Sequence, residues 1–425
     1  MKDGIAFGFH GCIDFECVWD TDIIHRLIDV FQVSLGDLEG HGSVDSERAI
    51  LTTILWHMKH GVGGEFVPTS SADVLAFAKR FDYRVTIGGT AARAAIAAHK
   101  IGCGSALQSC CNNALFEQLL PGEIHFISSV LEQDGEIYPH VSLQYPAGCR
   151  IQLTDGAFTT AKPNRVLFSR DPDSMAMRIT DQFYPMISDA KVLLLSCFSE
   201  VLDEAVLRSR LRDTVDTIRH LAPDHFVIME DGCYCVKHFR ALVHQQLAPS
   251  LNALSMNEDE FFELLGHEID LLDPEQVDAS IKAIYGRLGI PNLIIHTAFW
   301  ALAYGRDAQR LQKSITYGIM LAATRFRLGD HFDQSDFERT RLLSDHPGGT
   351  YLCESLQTKN GDWLYGMPGK KLDYIRMPTT VGLGDYFAGG LPDRCEMIMF
   401  VQMAEPSGLI KRFSKTYPSV FPALN

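Results

Sequence analysis

The chain has 425 residues, 46% of them apolar and 21% charged, which is a globular composition with room for an enlarged α/β domain and an appendage. A formal net charge of −15 without any Lys/Arg run speaks against nucleic acid as a partner, while a local basic cluster would still admit an anionic substrate. No apolar run approaches the roughly 18 residues of a membrane helix, so no membrane partner is expected, and eleven cysteines without zinc-ribbon spacing read as reduced thiols of a cytoplasmic protein.

Ile5–Phe9 reads as a buried first strand, followed by His10-Gly-Cys-Ile-Asp14. Ligands in open α/β sheets sit at such strand ends, although a loop Asp capping a turn is an equally good reading of Asp14. Helical spacing covers Ile50–Met58, stopped by Gly61-Val-Gly-Gly-Glu65, and a short helix covers Asp73–Phe81. The strand-like run from Arg84 then passes through Gly88-Gly89 into an Ala-rich helix. Backbone N–H groups at that helix start suit a ligand, and a tight turn packing helix onto sheet explains the glycines equally well.

From Ser105 to Val166 the pattern changes: Glu123–Ile127, His140–Tyr145 and Arg150–Leu153 alternate apolar and polar residues. This predicts a half-exposed β-sheet suited to a lid over a cleft. Arg165 closes the stretch, either as a surface cation or in reach of an anion beneath the lid.

After residue 188 the apolar strands Val192–Leu195, Phe226–Met229, Ala253–Met256 and Leu293–His296 alternate with helices, which predicts a parallel sheet covered on both faces. Ile228-Met-Glu-Asp231 and Met256-Asn-Glu-Asp-Glu260 place Glu230, Asn257 and Glu260 at strand ends, where acids can hold Mg²⁺. Helix capping explains Asn257 well and Glu260 poorly. Cys233-x-Cys235 with His238 reads more readily as small residues after a strand than as half of a metal site. His296-Thr297 leads into an expected apolar helix from Phe299, Tyr351–Cys353 reads as a strand, and Gly361–Gly366 reads as a hairpin. Thr379-Thr-Val-Gly-Leu-Gly-Asp-Tyr-Phe-Ala-Gly-Gly390 joins a flexible backbone, a carboxylate and a helix start: a base beside N–H groups that stabilise a transferring phosphoryl.

Taken in order, Ile87-Gly-Gly89, Asn257-Glu-Asp-Glu260, Ile295-His-Thr297 and Thr380-Val-Gly-Leu-Gly-Asp385 resemble the ADP-dependent glucokinase and phosphofructokinase family of ribokinase-like sugar kinases over nearly the whole chain. The resemblance implies a doubly wound, mostly parallel α/β domain with helices on both faces, expected over 1–14, 46–104 and 167–425, and a smaller β-rich lid over 15–45 and 105–166. It implies Asp385 as base and the backbone of Gly382, Leu383 and Gly384 as anion hole. Glu230, Asn257 and Glu260 would serve Mg²⁺, with Asp14, Gly88 and Gly89 on sugar hydroxyls. Arg165 would lie near phosphate, and His296, Thr297 and Val381 near the nucleotide.

Three positions depart from the family pattern. Ile228 stands where the family has the His of His-x-Glu, so Glu230 is expected to act without that partner. Tyr386 replaces the usual Thr after the catalytic Asp, and His10-Gly-Cys precedes Asp14 where Asn is commoner. The expected function is Mg-dependent phosphoryl transfer from ADP to a sugar or sugar phosphate in carbohydrate metabolism. Fructose 6-phosphate is favoured, with Arg165, Lys162, Arg93 and Arg84 as candidate cations, while Glu65 would suit a neutral sugar's hydroxyls. The alternatives are a sugar- and nucleotide-binding protein with weakened chemistry, or an ATP-dependent kinase of a nucleoside or other small alcohol.

Overall fold

In the computed structural model, the described residues are 4–40, 42–111, 113–129, 137–221, 224–375 and 378–392. β1 (Ile5–Phe9) turns at once into β2 (Cys12–Cys17). Helices Thr21–Phe31 and Glu47–His60 precede β3 (Gly64–Phe66), and helix Ser71–Ala78 precedes β4 (Tyr83–Gly88). Helix Thr90–Lys100 leads to β5 (Ala106–Ser109) and β6 (His125–Ser128); then come β7 (His140–Tyr145), β8 (Arg150–Gln152), β9 (Ala157–Thr159) and β10 (Asn164–Phe168). The remaining strands are β11 (Val192–Leu195), β12 (Phe226–Glu230), β13 (Ala253–Asn257), β14 (Asn292–His296), β15 (Trp300–Gly305) and β16 (Leu364–Pro368).

A nine-stranded sheet has the order β16-β15-β14-β13-β12-β11-β1-β5-β6, and a five-stranded sheet the order β3-β10-β7-β2-β4. The larger sheet is parallel from β14 to β6 and antiparallel only at β15 and β16. Its central strands are apolar at successive positions because both faces are covered. Leu193, Leu195, Val227 and Met229 enter one core, while Leu194, Phe226 and Ile228 enter the other. A third core joins Val141, Leu143, Val166 and Phe168 of the smaller sheet to Ile24, Leu27, Ile54, Leu55 and Phe77 of its helices. Among the described residues no helix is long and apolar enough to cross a membrane.

The pairing redraws the expected division of the chain. β5 and β6, expected in the lid, are parallel strands of the larger sheet, while β3 and β4, expected in the large domain, belong to the smaller one. Alternation tells a strand's two faces apart but does not name its neighbour. Three local readings also change. The apolar helix expected from Phe299 is β15, held against β14 by a turn in which the Thr297 hydroxyl accepts from the Phe299 and Trp300 N–H groups, each at 3.1 Å. Tyr351–Cys353 lies in helix Pro347–Asn360, started by Pro347 and the His346 ring, which accepts from the Gly349 N–H at 3.1 Å. Gly361–Trp363 is a single 3₁₀ turn feeding β16, so no hairpin forms there. Among the described residues nine cysteines are free thiols and Cys103 is disulfide-bonded, which corrects the expectation of reduced thiols at that position.

Candidate active site

The Gly-x-Gly-Asp stretch folds as helix Leu383–Gly389, with Gly382 as its N-cap at φ +69°. A side chain at Gly382 would be strained and would collide with the Arg93 guanidinium, so glycine is required there. The helix is wedged in by small residues: a Cβ on Gly389 would meet the Ala94 carbonyl, and one on Gly390 the backbone of Gly318. Residues 382–385 remain half-exposed while 386–390 are buried. Tyr386 is therefore a core residue, and its departure from the family pattern is a matter of packing. Its hydroxyl donates to Asp330 at 3.0 Å, and the Arg325 guanidinium lies 4.4 Å from its ring centroid. Arg325 in turn pairs with Asp330 and donates to the Val381 carbonyl at 2.8 Å, so Val381, with its side chain buried, serves this core network.

Asp385 lies in the first turn, its side chain 22% exposed. Its Oδ1 accepts from the Thr90 hydroxyl at 2.8 Å, and Arg93 Nε lies 3.9 Å from Oδ2. Arg93 is buried near the start of the Ala-rich helix Thr90–Lys100. It donates to Asp14 at 2.7 Å, Glu16 at 3.1 Å and the Ile87 carbonyl at 2.8 Å, leaving Nη1 without a partner among the described residues. Burial pushes the Asp14 carboxyl above its usual range, with Arg93 pulling the other way. The diglycine has a packing reason. A Cβ on Gly88 would collide with the Asp14 carboxylate, and Gly89, at φ +85°, lies against the Gly11 backbone.

On the other side of helix Leu383–Gly389, His296 stacks on Phe387 at 4.2 Å between ring centroids. Its Nε2 meets Glu230 Oε1 at 3.0 Å. Glu230 thus has a histidine partner after all, supplied from β14 across β13, while Ile228 faces the core. Oε2 of Glu230 is buried and unpartnered among the described residues. Asn257 and Glu260 form a reciprocal capping box: the Asn257 side chain accepts from the Glu260 N–H at 3.0 Å, and Glu260 accepts from the Asn257 N–H at 2.8 Å. Capping therefore explains Glu260 as well as Asn257, contrary to expectation. Burial, then Asp231 and Glu230, push the Glu260 carboxyl well above its usual range.

The smaller sheet reaches this region through side chains of β7 and β10. Gln144 of β7 accepts from both the Thr380 N–H at 2.7 Å and the Thr380 hydroxyl at 3.0 Å, tying that sheet to the segment before helix Leu383–Gly389. Arg165 of β10 pairs with Glu65 of β3 at 3.5 Å. Thr297 spends its hydroxyl on the β14–β15 turn. The long-range partners Thr90, Gln144 and Arg325 were missed from the sequence; the only signal was a polar residue inside an otherwise regular pattern. Cys233, Cys235 and His238 do not gather ligand atoms at one point.

Glu65 shares a cleft with Glu200, whose carboxyl burial pushes up to about 7 with His140 pulling back. An acid whose folded value is raised favours folding at pH below its unfolded value near 4.5 and loses that contribution as pH rises through about 7. Glu200→Gln is accordingly expected to raise the melting temperature at pH 8 and to change it little at pH 4.5, by differential scanning fluorimetry. Equal shifts at both values would remove the titration as the cause.

A family model described as the ADP-specific phosphofructokinase/glucokinase conserved region matches residues 3–340, so the match ends before the helix that carries Asp385. Among curated protein sequences no significant match is found. Solved structures share the fold. A hypothetical ADP-dependent phosphofructokinase from Pyrococcus horikoshii OT3 aligns with TM-score 0.70 and 16% identity, over 91% of this chain and 96% of its own. A phosphofructokinase from the same organism with AMP gives 0.68 and 15%, over 91% and 96%. An ADP-dependent kinase in complex with fructose-6-phosphate and ADPβS gives 0.71 and 14%, over 92% and 94%. With four fifths of its length matched by the family model, the chain belongs to the ADP-specific phosphofructokinase/glucokinase family of sugar kinases.

Proposed function

We propose that the chain transfers a phosphoryl group from ADP to a hydroxyl of a sugar or sugar phosphate, with fructose 6-phosphate as the favoured acceptor and Asp385 as base. The observation that carries this is a half-exposed carboxylate at an open helix start, braced by Thr90 and Arg93 and one helix width from the Glu230–His296 pair. Asp385 takes the proton of the acceptor hydroxyl. The acceptor's hydroxyl oxygen forms the new bond to the β-phosphorus of ADP, the bond from that phosphorus to the bridging oxygen breaks, and AMP leaves. The N–H groups of Leu383, Gly384 and Asp385, which have no partner within the helix, face the charge that builds on the phosphoryl oxygens. Asp14 holds the acceptor's hydroxyls at Gly88 and Gly89, while His296 lies on the nucleotide side.

The orphaned Glu230 Oε2 is an acceptor suited to a hydrated cation, and the residues present fit Mg²⁺ there. Bound Mg²⁺ would screen the diphosphate charge, with Glu230 holding it and Asn257 and Glu260 behind. Glu260 spends both oxygens on Asn257, so its part is to fix that loop. Glu230→Gln is therefore expected to raise the Mg²⁺ concentration for half-maximal rate more than Glu260→Gln does. Glu260→Gln should mainly lower the melting temperature, because the amide keeps only one of the two oxygens that accept from Asn257. Metal titrations of initial rate that shift equally for the two variants would contradict this division.

For the acceptor, Arg93 and Arg84 are committed to Asp14 and Glu16, which leaves the exposed Lys162, and Arg165 if it leaves its 3.5 Å contact with Glu65, as cations for a sugar phosphate. The testing experiment is a coupled assay crossing ADP and ATP with fructose 6-phosphate, fructose, glucose and a nucleoside. Turnover is expected with ADP and fructose 6-phosphate. Preference for glucose would reassign the acceptor, preference for ATP the donor, and binding of sugar and nucleotide without product would support the weakened-chemistry alternative.

A further inference from the structure

Where the chain passes from the larger sheet to the smaller, three side chains converge that the phosphoryl-transfer reading does not use. His10 follows β1, Cys12 opens β2 and His140 opens β7; one ligand atom from each lies within 4.8 Å of the other two. Cys12 and His140 are buried, and the His10 and His140 rings are 5.9 Å apart. The Nε2 atoms of both histidines are buried and make no hydrogen bond among the described residues. His10 Nδ1 accepts from the Thr90 N–H at 3.4 Å, which leaves its Nε2 facing the cluster, and the Asp171 carboxylate stands 3.5 Å from His140 Nε2. A buried ring nitrogen without a partner, as His10 Nε2 is among the described residues, is costly unless something occupies the space beside it. The charges around them are mostly negative. His140, Asp385, Asp171 and Arg93 act on His10, the first and last as cations, and Asp171, Glu200 and Asp14 act on His140, while Arg93 is already held by Asp14 and Glu16.

We propose that His10, Cys12 and His140 form a binding site for a thiophilic divalent cation of the zinc class, set between the two sheets. Two imidazoles and a thiolate suit such a cation in tetrahedral coordination with water in the fourth place, whereas Mg²⁺ prefers oxygen ligands. Bond lengths of about 2.0–2.3 Å put tetrahedral ligands roughly 3.5 Å apart, so the three atoms need to close by no more than about 1.3 Å. With Asp171 on its Nε2, His140 would ligate through Nδ1, and Asp171 would then orient the ring from outside, as carboxylates do for ligating histidines. The Cys12 thiol now donates to Asp14 at 3.4 Å; on binding its proton leaves to solvent and the thiolate takes the metal. The site ties the loop leaving the larger sheet to two strands of the smaller, and it does not depend on the kinase reading.

The test uses the full chain, stripped with chelator and titrated with Co²⁺ in the absence of nucleotide and sugar. The exposed Cys233 and Cys235 are both replaced by Ser to remove background. A thiolate-to-cobalt charge-transfer band with visible d–d bands is expected, displaced by Zn²⁺ and unaffected by Mg²⁺. Cys12→Ser should abolish the charge-transfer band, and His10→Asn should weaken Co²⁺ binding more than roughly tenfold. Absence of the band in the Cys233/Cys235 background, or its survival in Cys12→Ser, overturns the site. Should Cys12→Ser fail to fold, unchanged affinity in His10→Asn, a half-buried loop position, overturns it equally.

Discussion

Asp385→Asn is expected to lower kcat by about 10²–10⁴, the usual contribution of a positioned general base, while the affinity for ADP stays within a few-fold. Asparagine keeps an oxygen for the Thr90 hydroxyl, so the helix start and its N–H groups stay in place. What is lost is the ability to take a proton. The half-exposed side chain stands 3.9 Å from Arg93, and a partly solvated charge at that separation adds little to stability, so the folded state should tolerate the change. Asp385→Ala should show the same fall in kcat with a modest further loss from the missing hydrogen bond. Single-turnover rates together with ADP binding by calorimetry separate the two effects. A near-normal kcat in Asp385→Asn would remove this carboxylate as the base and leave the helix start as a binding element only.

Arg93→Met is expected to destabilise the protein by about 3–5 kcal/mol, the range for removing one partner from a buried charge cluster. The guanidinium is the shared partner of Asp14 and Glu16, whose side chains are almost fully buried, and it also holds the Ile87 carbonyl at the end of β4. Without it two carboxylates remain in a low-dielectric interior, and among the described residues Glu16 keeps only Arg84, the Thr86 hydroxyl and the more distant Arg325. The same substitution loosens the brace on Asp385, so kcat should fall along with stability. Adding Glu16→Gln to Arg93→Met should recover part of the lost stability, although Glu16→Gln alone should be destabilising. That opposite sign is the mark of a coupled pair in a double-mutant cycle. Strictly additive effects, or a loss below about 1 kcal/mol for Arg93→Met, would show that the cluster is not electrostatically coupled.

Much of the architecture was legible in the chain because it is set by local pattern. Successive apolar residues at Val192–Leu195 and Phe226–Met229 mean strands covered on both faces, and that alone determined a parallel sheet with helices on either side. Gly382-Leu-Gly-Asp385 marked the helix start and its carboxylate because a positive φ and an adjacent acid are properties of a few consecutive residues. Asn257-x-x-Glu260 was legible too, although its capping box was undervalued.

Other features only the tertiary structure decided. Which sheet takes β3, β4, β5 and β6 depends on strands far away in sequence, and alternation of polarity carries no record of the neighbour. Glu230 finds its histidine on β14, two strands away, so a motif confined to three consecutive residues could not reveal the pair. Tyr386 reads as a changed active-site residue until Arg325 and Asp330 close over it as core. Arg93 is a single cation in an alanine helix until β2 brings Asp14 and Glu16 against it. Local conformation follows from sterics and hydrogen bonding within a few residues, whereas the meeting of charges from distant segments is settled only when the whole chain packs.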